Sequence, residues 1–426
     1  MLMLRLSLLL LFLFTLQVIS GQSIESTKVL KPARVFDGQN IHNDWVVVVK
    51  GDRIVGAGPE GTLSIPANSE EIIMPNITLM PGMIEGHSHI LLHPYNETSW
   101  NDQVLVESSA ERVARATVHV RKSLDAGFTT LRDLGSEGSG YDDVGVKIAI
   151  EKGIIPGPRL IVAGRAIVAT GSYGPKGFAP HVTVPLGAEA ADGHDNLIKV
   201  VRSQIGHGAD VVKVYADYRW GPSGQAMPTF TEEELKLIVK IAASSGRRVV
   251  AHAATEEGML RAARAGVQSI EHGDGGTPAV WEVMKKNKVA LCPTLAAPDA
   301  ILQYGGWKKG QDPEPLRIQN KRKSFQEALK AGISIIAGGD VGVFSHGNNV
   351  YELEMMVDYG MTPLEVWRCV TAGNAFLLDL PDLGEIAPNK IADLVGVIGQ
   401  PEKNISDLRK VQFVMKGGHI YLSNQK

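Results

Sequence analysis

The chain has few cysteines, and its positive and negative charges nearly balance. The 426 residues include only Cys292 and Cys369, which excludes a disulfide framework as the source of stability. Cys292 follows an apolar run, where a packed thiol is expected rather than a metal ligand. The formal net charge is -3, with Lys and Arg spread along the sequence, so no basic surface for nucleic acid is expected. The expected partner is a small molecule.

Long apolar runs are also lacking, apart from one at the amino terminus. Arg5 precedes an apolar stretch over residues 6–19, and small residues follow it. This stretch is shorter than the roughly 20 residues that a membrane span needs. We therefore predict a signal peptide over residues 1–20, cleaved near Gly21, with an uncleaved anchor as the alternative. The mature chain is expected to be secreted, or periplasmic in a bacterium, and not bound to a membrane.

Three sequons for N-glycosylation agree with an export route. They begin at Asn76, Asn96 and Asn404. Such triplets are common by chance, so they support export only together with the amino-terminal segment.

Short segments of β type lie at both ends of the chain. Residues 45–49 and 53–56 are examples near the amino terminus, and residues 392–398 and 410–421 form a matching stretch near the end. Neither end is long enough to make a full sandwich alone. We therefore predict one β-sandwich domain built from residues 21–80 and 385–426.

The middle of the chain, residues 81–384, has a different pattern. Runs of β-branched residues alternate with amphipathic stretches, which is typical of βα units around a parallel sheet. Eight candidate strands lie at residues 83–89, 128–132, 159–163, 210–215, 248–252, 267–271, 289–293 and 333–337. Thr231 and Thr362 are predicted to cap two of the intervening helices. The fold class is therefore α/β, a (β/α)8 TIM barrel, because the alternative open sheet lacks a Gly-rich phosphate loop after its first strand.

Polar residues stand at the carboxyl ends of these candidate strands, where barrel enzymes build their active sites. His87 and His89 are two positions apart on the first strand, so their side chains face the same side and are able to hold one ion. His252 and His272 end two further strands, although either one is also compatible with a hydrogen-bonded core histidine. Asp340 follows the last strand, where a buried carboxylate needs a cation or hydrogen-bond donors.

Lys213 stands at an unusual position for a lysine. Strand alternation places it on the inward face of residues 210–215, between Val211 and Tyr215. A lone buried ammonium is costly, but the neutral amine reacts with carbon dioxide to give a carbamate, an anionic oxygen ligand that bridges two cations. The alternative is a lysine whose charged end reaches solvent.

Together these residues resemble the amidohydrolase superfamily, in particular its imidazolonepropionase-like and peptidase-like branch, which includes Xaa-Pro dipeptidases and ochratoxinase-like enzymes. Residues 81–89, Pro-Gly-Met-Ile-Glu-Gly-His-Ser-His, are similar to the first-strand motif of that family, and residues 384–395 also fit its pattern. The resemblance implies a hydrolase of C–N bonds with two divalent metal ions, usually zinc.

The resemblance also implies a role for each of six residues. His87 and His89 would bind one ion, and His252 and His272 the other. Carboxylated Lys213 would bridge the two ions. Asp340 would bind the first ion, take a proton from the attacking water and deliver it to the leaving nitrogen.

Departures from the family pattern concern the substrate. Residues 170–174 resemble a Thr-Gly-Gly-His-Gly loop of relatives, but Tyr173 replaces the histidine, so we expect Tyr173 to face substrate. Tyr215 is expected to donate to the oxyanion or to a substrate carboxylate, with filling of the barrel core as the alternative. His346 is expected to touch substrate, with an exposed loop histidine as the alternative. Arg132 is expected to support the ligands.

The favoured substrates are amides with a small or apolar acyl side and a free carboxylate on the leaving group, such as dipeptides or N-acyl amino acids. A cyclic amide such as an imidazolone is the alternative within enzymes. A non-catalytic barrel that serves as a binding or assembly module is the alternative from another class, and the complete ligand set argues against it. We expect a homo-oligomer.

Overall fold

The computed structural model describes residues 27–179 and 181–424. The predicted signal peptide, residues 1–20, lies outside the described residues. In the described ranges, none of the helices has both the length and the hydropathy of a membrane span.

Five strands near the amino terminus begin a sheet-rich domain. They are β1 (Thr27–Phe36), β2 (Ile41–Asn43), β3 (Trp45–Lys50), β4 (Arg53–Pro59) and β5 (Glu70–Pro81). Strand β1 pairs antiparallel with β3 and parallel with β5. The valines at positions 46–49 of β3 are all buried, because Val47 and Val49 pack in one hydrophobic cluster and Val46 and Val48 in another. Both faces of this strand are therefore covered.

The barrel follows as strands that alternate with helices. The elements, in chain order, are β6 (Met83–Ser88), α1 (Trp100–Leu105), α2 (Ser109–Asp125), β7 (Phe128–Asp133), α3 (Asp142–Glu151), β8 (Arg159–Val162), β9 (Ile167–Val168), β10 (Glu189–Ala190), α4 (Gly193–Gly206), β11 (Val211–Tyr215), β12 (Asp217–Arg219), β13 (Ala226–Pro228), α5 (Glu232–Ala243), β14 (Arg248–Ala253), α6 (Glu256–Ala265), β15 (Ser269–His272), α7 (Pro278–Lys286), β16 (Ala290–Cys292), α8 (Ala296–Tyr304), α9 (Leu316–Ala331), α10 (Val350–Asp358), α11 (Pro363–Arg368) and α12 (Asn374–Leu377).

The predicted barrel is confirmed, although its last strand is irregular. Strands β6, β7, β8, β11, β14, β15 and β16 occupy the first seven predicted positions. Parallel pairing joins β6, β7 and β8 in one sheet and β11, β14, β15 and β16 in another, and a 2.8 Å hydrogen bond from Asp210 N to Val162 O connects the two. The eighth segment, residues 333–337, joins the ring by a bridge from Ile335 to Leu291 and by a 2.9 Å hydrogen bond from Gly86 N to Ala337 O. A Cβ on Gly86 would lie 2.8 Å from that oxygen, so this close approach of two backbones requires glycine.

Helix caps follow the sequence signals. Thr231 and Thr362 each form a complete capping box at the start of α5 and α11, as predicted. The inner face of α5 buries Leu235 and Ile238, which belong to the main barrel core. Apolar spacing and cap chemistry therefore agree on where the barrel helices begin.

The last strands return to the sheet domain. They are β17 (Leu394–Ile398), β18 (Val411–Lys416) and β19 (His419–Ser423). Strand β17 pairs antiparallel with β5, which joins both chain ends into the strand order β19-β18-β17-β5-β1-β3-β4. A smaller β domain built from the two ends of the chain is thus confirmed.

Candidate metal centre

The carboxyl ends of the barrel strands bring the predicted histidines together. The ring centroid of His87 lies 5.3 Å from those of both His89 and His272. The His272 ring lies 4.5 Å from His252. Four imidazoles from three strand ends therefore form one continuous group.

Three of these histidines use Nδ1 for a contact with the protein. The pairs are His87 with Glu271 Oε2 at 2.8 Å, His89 with the Gly135 carbonyl at 2.9 Å, and His272 with Thr294 Oγ1 at 2.8 Å. Such contacts fix the ring and leave Nε2 available, as in histidines that ligate metals.

His252 directs its other ring nitrogen, Nε2, toward a buried carboxylate, at a distance too long for a hydrogen bond. Its Nε2 lies 3.7 Å from Asp217 Oδ1, and its ring stacks on Tyr215 with centroids 4.5 Å apart. Asp217 is fully buried and accepts hydrogen bonds from Ala254 N and Thr255 N. Nδ1 is therefore the nitrogen that His252 is able to offer to an ion.

Asp340 supplies a carboxylate oxygen among these rings. Its Oδ1 lies 3.3 Å from His89 Nε2 and 3.6 Å from His87 Nε2. This oxygen is buried and forms no hydrogen bond with any described residue. One ligand atom from each of His87, His272 and Asp340 lies within 4.8 Å of the others. A buried acceptor without a donor, surrounded by imidazole nitrogens, fits a cation.

Burial sets the protonation state of His87 and His252, because it outweighs the charges of the nearby carboxylates. It lowers the pKa of His87 to about 4 and that of His252 to about 3, so both rings are neutral at physiological pH. His89 differs, because the nearby carboxylate of Asp340, 3.3 Å from its Nε2, outweighs burial and raises the pKa of His89 to about 9. The pKa of Asp340 is correspondingly lowered to about 2, because the electrostatic interactions of its carboxylate with the His87 and His89 rings outweigh its burial.

Lys213 is enclosed beside this group. Its side chain is 1% exposed, so the alternative of a lysine that reaches solvent is wrong. Within the described part of the chain the amine forms no hydrogen bond or ion pair, and it lies 5.6 Å from the centroid of the Tyr215 ring. Burial lowers the pKa of Lys213, which favours the neutral amine.

Glu271, for which the sequence predicts no role, supports His87 and forms a buried ion pair with Arg132. Glu271 accepts from Arg132 Nη2 at 3.1 Å, and its other oxygen contacts His87. Arg132 also donates from Nε to the Gly86 carbonyl at 2.6 Å. The charge of Arg132 outweighs burial and holds the pKa of Glu271 well below its usual range. Arg132 thus contacts Glu271, the residue that holds the candidate ligand His87, and so supports the ligands as expected. The position of Glu271 directly before His272 was the sequence signal for this role.

The two predicted substrate tyrosines lie side by side. The rings of Tyr173 and Tyr215 have centroids 4.7 Å apart. Tyr173 donates from its hydroxyl to Glu137 Oε2 at 2.8 Å. Glu137 was not predicted, because it lies in a loop that carries no periodic pattern.

His346 does not lie with these tyrosines. It is 5% exposed, its ring stacks on His119 with centroids 4.3 Å apart, and its Nε2 contacts the Leu92 carbonyl at 3.1 Å. The alternative of an exposed loop histidine is wrong, because the loop is packed against α2 and the segment after β6. A contact between His346 and substrate stays a prediction.

Comparison with known proteins decides the family. A model of the amidohydrolase family matches residues 78–421. This chain belongs to the amidohydrolase family. It is 30% identical to the ochratoxinase of Aspergillus niger over 381 residues, which covers 80% of this chain and 75% of that enzyme.

Solved structures of amidohydrolases agree with the fold. A Xaa-Pro dipeptidase with methionine bound in its active site superposes with a TM-score of 0.83 and 29% identity, over 93% of this chain and 100% of that one. A prolidase in complex with N-methylphosphonate-L-proline gives a TM-score of 0.81 and 26% identity, over 93% and 100%. The protein is an amidohydrolase and acts on C–N bonds.

Proposed function

We propose that this amidohydrolase holds two divalent cations and hydrolyses the amide bond of dipeptides or N-acyl amino acids that carry a free carboxylate on the leaving group. The observation that carries the proposal is the unsatisfied Asp340 Oδ1 beside the His87 and His89 Nε2 atoms. The likeness to a dipeptidase and a prolidase favours peptide-like amides. A non-catalytic barrel is not supported by these relatives.

The residues present fit two ions. His87, His89 and Asp340 would hold one ion, His252 and His272 the other, and carboxylated Lys213 would lie between them. Nitrogen and carboxylate donors of this kind suit zinc. When bound, two such cations lower the pKa of a water molecule and polarise the scissile carbonyl.

The side chains of this chain provide the proton transfers. Asp340 Oδ1 has no donor of its own, so it is free to accept a proton from the attacking water and to return it to the leaving nitrogen. Tyr215 stacks on His252, which places its side chain beside the reaction centre to donate to the developing oxyanion. Burial keeps the Tyr215 hydroxyl protonated, because it raises the pKa well above the usual value.

Metal content and a substrate screen together test this function. We expect about two zinc ions per chain, as the ligand set requires, and hydrolysis of at least one dipeptide or N-acyl amino acid. The screen includes imidazolones, because the cyclic-amide alternative is still open. A fully active protein after complete chelation of metal would contradict the proposal. Secretion, glycosylation at the exposed Asn76, Asn96 and Asn404, and homo-oligomer formation stay predictions.

A further inference from the structure

Glu137 lies in the loop after β7, at the edge of the candidate metal centre. It is 3% exposed, and its backbone has a φ of 48°, a left-handed conformation that is uncommon for glutamate. Arg112 holds the loop by donating to the carbonyl oxygens of Glu137 at 2.7 Å and Ser136 at 3.2 Å. The surrounding structure thus maintains an unfavourable backbone conformation at Glu137. Such conformations cluster at active sites and ligand-binding sites.

The carboxylate of Glu137 is only partly satisfied. Oε2 accepts from Tyr173 at 2.8 Å and from Trp100 Nε1 at 2.9 Å. Oε1 accepts no hydrogen bond from the residues that the structure describes, and the nearby His89 Nδ1, at 3.9 Å, already contacts the Gly135 carbonyl. No lysine or arginine of the described ranges forms an ion pair with Glu137, since Arg112 donates to backbone oxygens. In the metal-loaded protein, where His89 would be a neutral ligand, this buried carboxylate would be left without a cationic side-chain partner among the described residues.

Aromatic rings surround this carboxylate. The Tyr173 ring lies 5.4 Å from Trp100 and 4.8 Å from Tyr218, measured between centroids. Tyr215 continues the group toward His252. The faces of tryptophan and tyrosine rings attract cations, most strongly where water is excluded. The group therefore reaches from Glu137 to a candidate metal ligand, which is within the span of a small substrate.

We propose that Glu137, together with the rings of Trp100, Tyr173 and Tyr218, binds a positively charged group of the substrate. The substrates would then be amides that carry an ammonium or guanidinium group. This inference rests on the proposed amide hydrolysis and narrows its substrate class. The same negative charge disfavours a substrate carboxylate at this position, so the carboxylate of a dipeptide lies on another side of the centre.

Matched substrates isolate the charge. The pairs are Lys-Ala with norleucyl-Ala, Ala-Lys with Ala-norleucine, and Ala-norleucine with its N-acetyl derivative. The wild type should hydrolyse the charged member of at least one pair with a kcat/KM higher by about tenfold or more, as expected for one buried charged hydrogen bond. Glu137→Gln removes the charge but keeps an acceptor for Trp100 and Tyr173. The variant should lose the preference mainly because KM for the charged substrates rises. Its kcat/KM for the uncharged substrates should stay within about twofold of the wild-type value.

Two results would overturn the proposal. One is a wild type without preference in any pair. The other is a Glu137→Gln enzyme that slows charged and uncharged substrates equally or loses metal, because Glu137 would then support only the loop or His89. Thermal unfolding confirms that the variant is folded.

A binding measurement keeps this inference separate from the proposed function. Calorimetry of the metal-loaded protein compares n-butylammonium with n-butanol, a neutral molecule of similar size. Tighter binding of the cation to the wild type but not to Glu137→Gln supports the cation site even if no amide in the screen is hydrolysed. Equal binding of the two probes contradicts the cation site even if amides are hydrolysed.

Discussion

Replacing Lys213 by methionine should have opposite effects on folding and on metal binding. Lys213 is buried and forms no hydrogen bond or ion pair with any residue in the described ranges. A buried polar group without a hydrogen-bond partner costs about 1–3 kcal/mol of desolvation, and exchange of Lys213 for an apolar side chain of similar volume removes this cost. The metal-free Lys213→Met protein should therefore unfold at the same temperature as the wild type or higher, by about 2–4 °C for each kcal/mol in a domain of barrel size.

In the metal-loaded protein, the same substitution should be unfavourable, because it should weaken metal binding. Without the proposed carbamate at position 213, the two proposed ions would lose the anion between them, and at least one ion should bind more weakly. Since even loss of a residue behind a ligand costs about 10–100-fold in affinity or activity, loss of this ligand should cost at least as much. Short carboxylic acids such as acetate or propionate should partly restore hydrolysis in Lys213→Ala, because they place an oxygen ligand in the vacated space.

Lys321 provides a matched control. This lysine is also buried, but it donates to the His272 carbonyl at 2.6 Å and to Asp274 Oδ1 at 2.5 Å. Breaking a buried ion pair on one side costs about 3–5 kcal/mol, so metal-free Lys321→Met should be clearly destabilised. The assay is thermal unfolding after chelation, followed by metal analysis and hydrolysis after reloading. A Lys213→Met protein that keeps two ions and full activity, or that is destabilised like Lys321→Met when metal-free, would refute the reasoning.

Four further predictions concern metal affinity, substrate preference and export. The carboxylate of Asp340 outweighs burial and raises the pKa of His89 to about 9. A cation that binds His89 must displace this proton, so chelator competition should show the affinity of one ion falling by about tenfold for each pH unit below 9. An affinity independent of pH between 6 and 8 would contradict this prediction. Glu271→Gln should weaken metal binding by about 10–100-fold through His87, measured by the same competition, and unchanged affinity would exclude that role. Tyr173→His should change substrate preference more than metal content, as judged by the substrate screen and metal analysis. Equal losses of metal and of activity on every substrate would contradict a position of Tyr173 at the substrate. Mass spectrometry of exported protein should find an amino terminus near Gly21, and a retained Met1 would exclude cleavage.

The sequence was most informative where a strand period fixes the direction of side chains. His87 and His89 share a face because they are two positions apart, and the alternation around Lys213 correctly placed it inside the barrel. The apolar residues at positions 333–337 predicted the eighth strand, but they did not predict its irregular hydrogen bonding. That irregularity depends on contacts of Gly86 and Gly338 with distant backbone, and no local pattern encodes such contacts.

Residues in loops were predicted less well. Glu137 contacts Trp100 and Tyr173 because of a left-handed backbone turn, which neither helical nor strand periodicity indicates. His346 was read correctly as a loop residue, yet its exposure depends on His119, which is 227 positions away in the sequence. Its stacking partner lies on a helix whose position the barrel sets, so burial there follows from tertiary structure alone.

Two of the candidate ligands leave strand geometry at the point where they enter the centre. His272 has a φ of 75° and Asp340 a φ of 63°, and Thr294, which contacts His272, has a φ of 48°. Such backbone is unfavourable for these residues and persists only where the surrounding structure requires it. Here Lys321 holds the His272 carbonyl, and Asp340 N donates to the His87 carbonyl at 2.9 Å. These partners come from distant parts of the barrel, so the fold itself helps to set the directions in which His272 and Asp340 enter the centre.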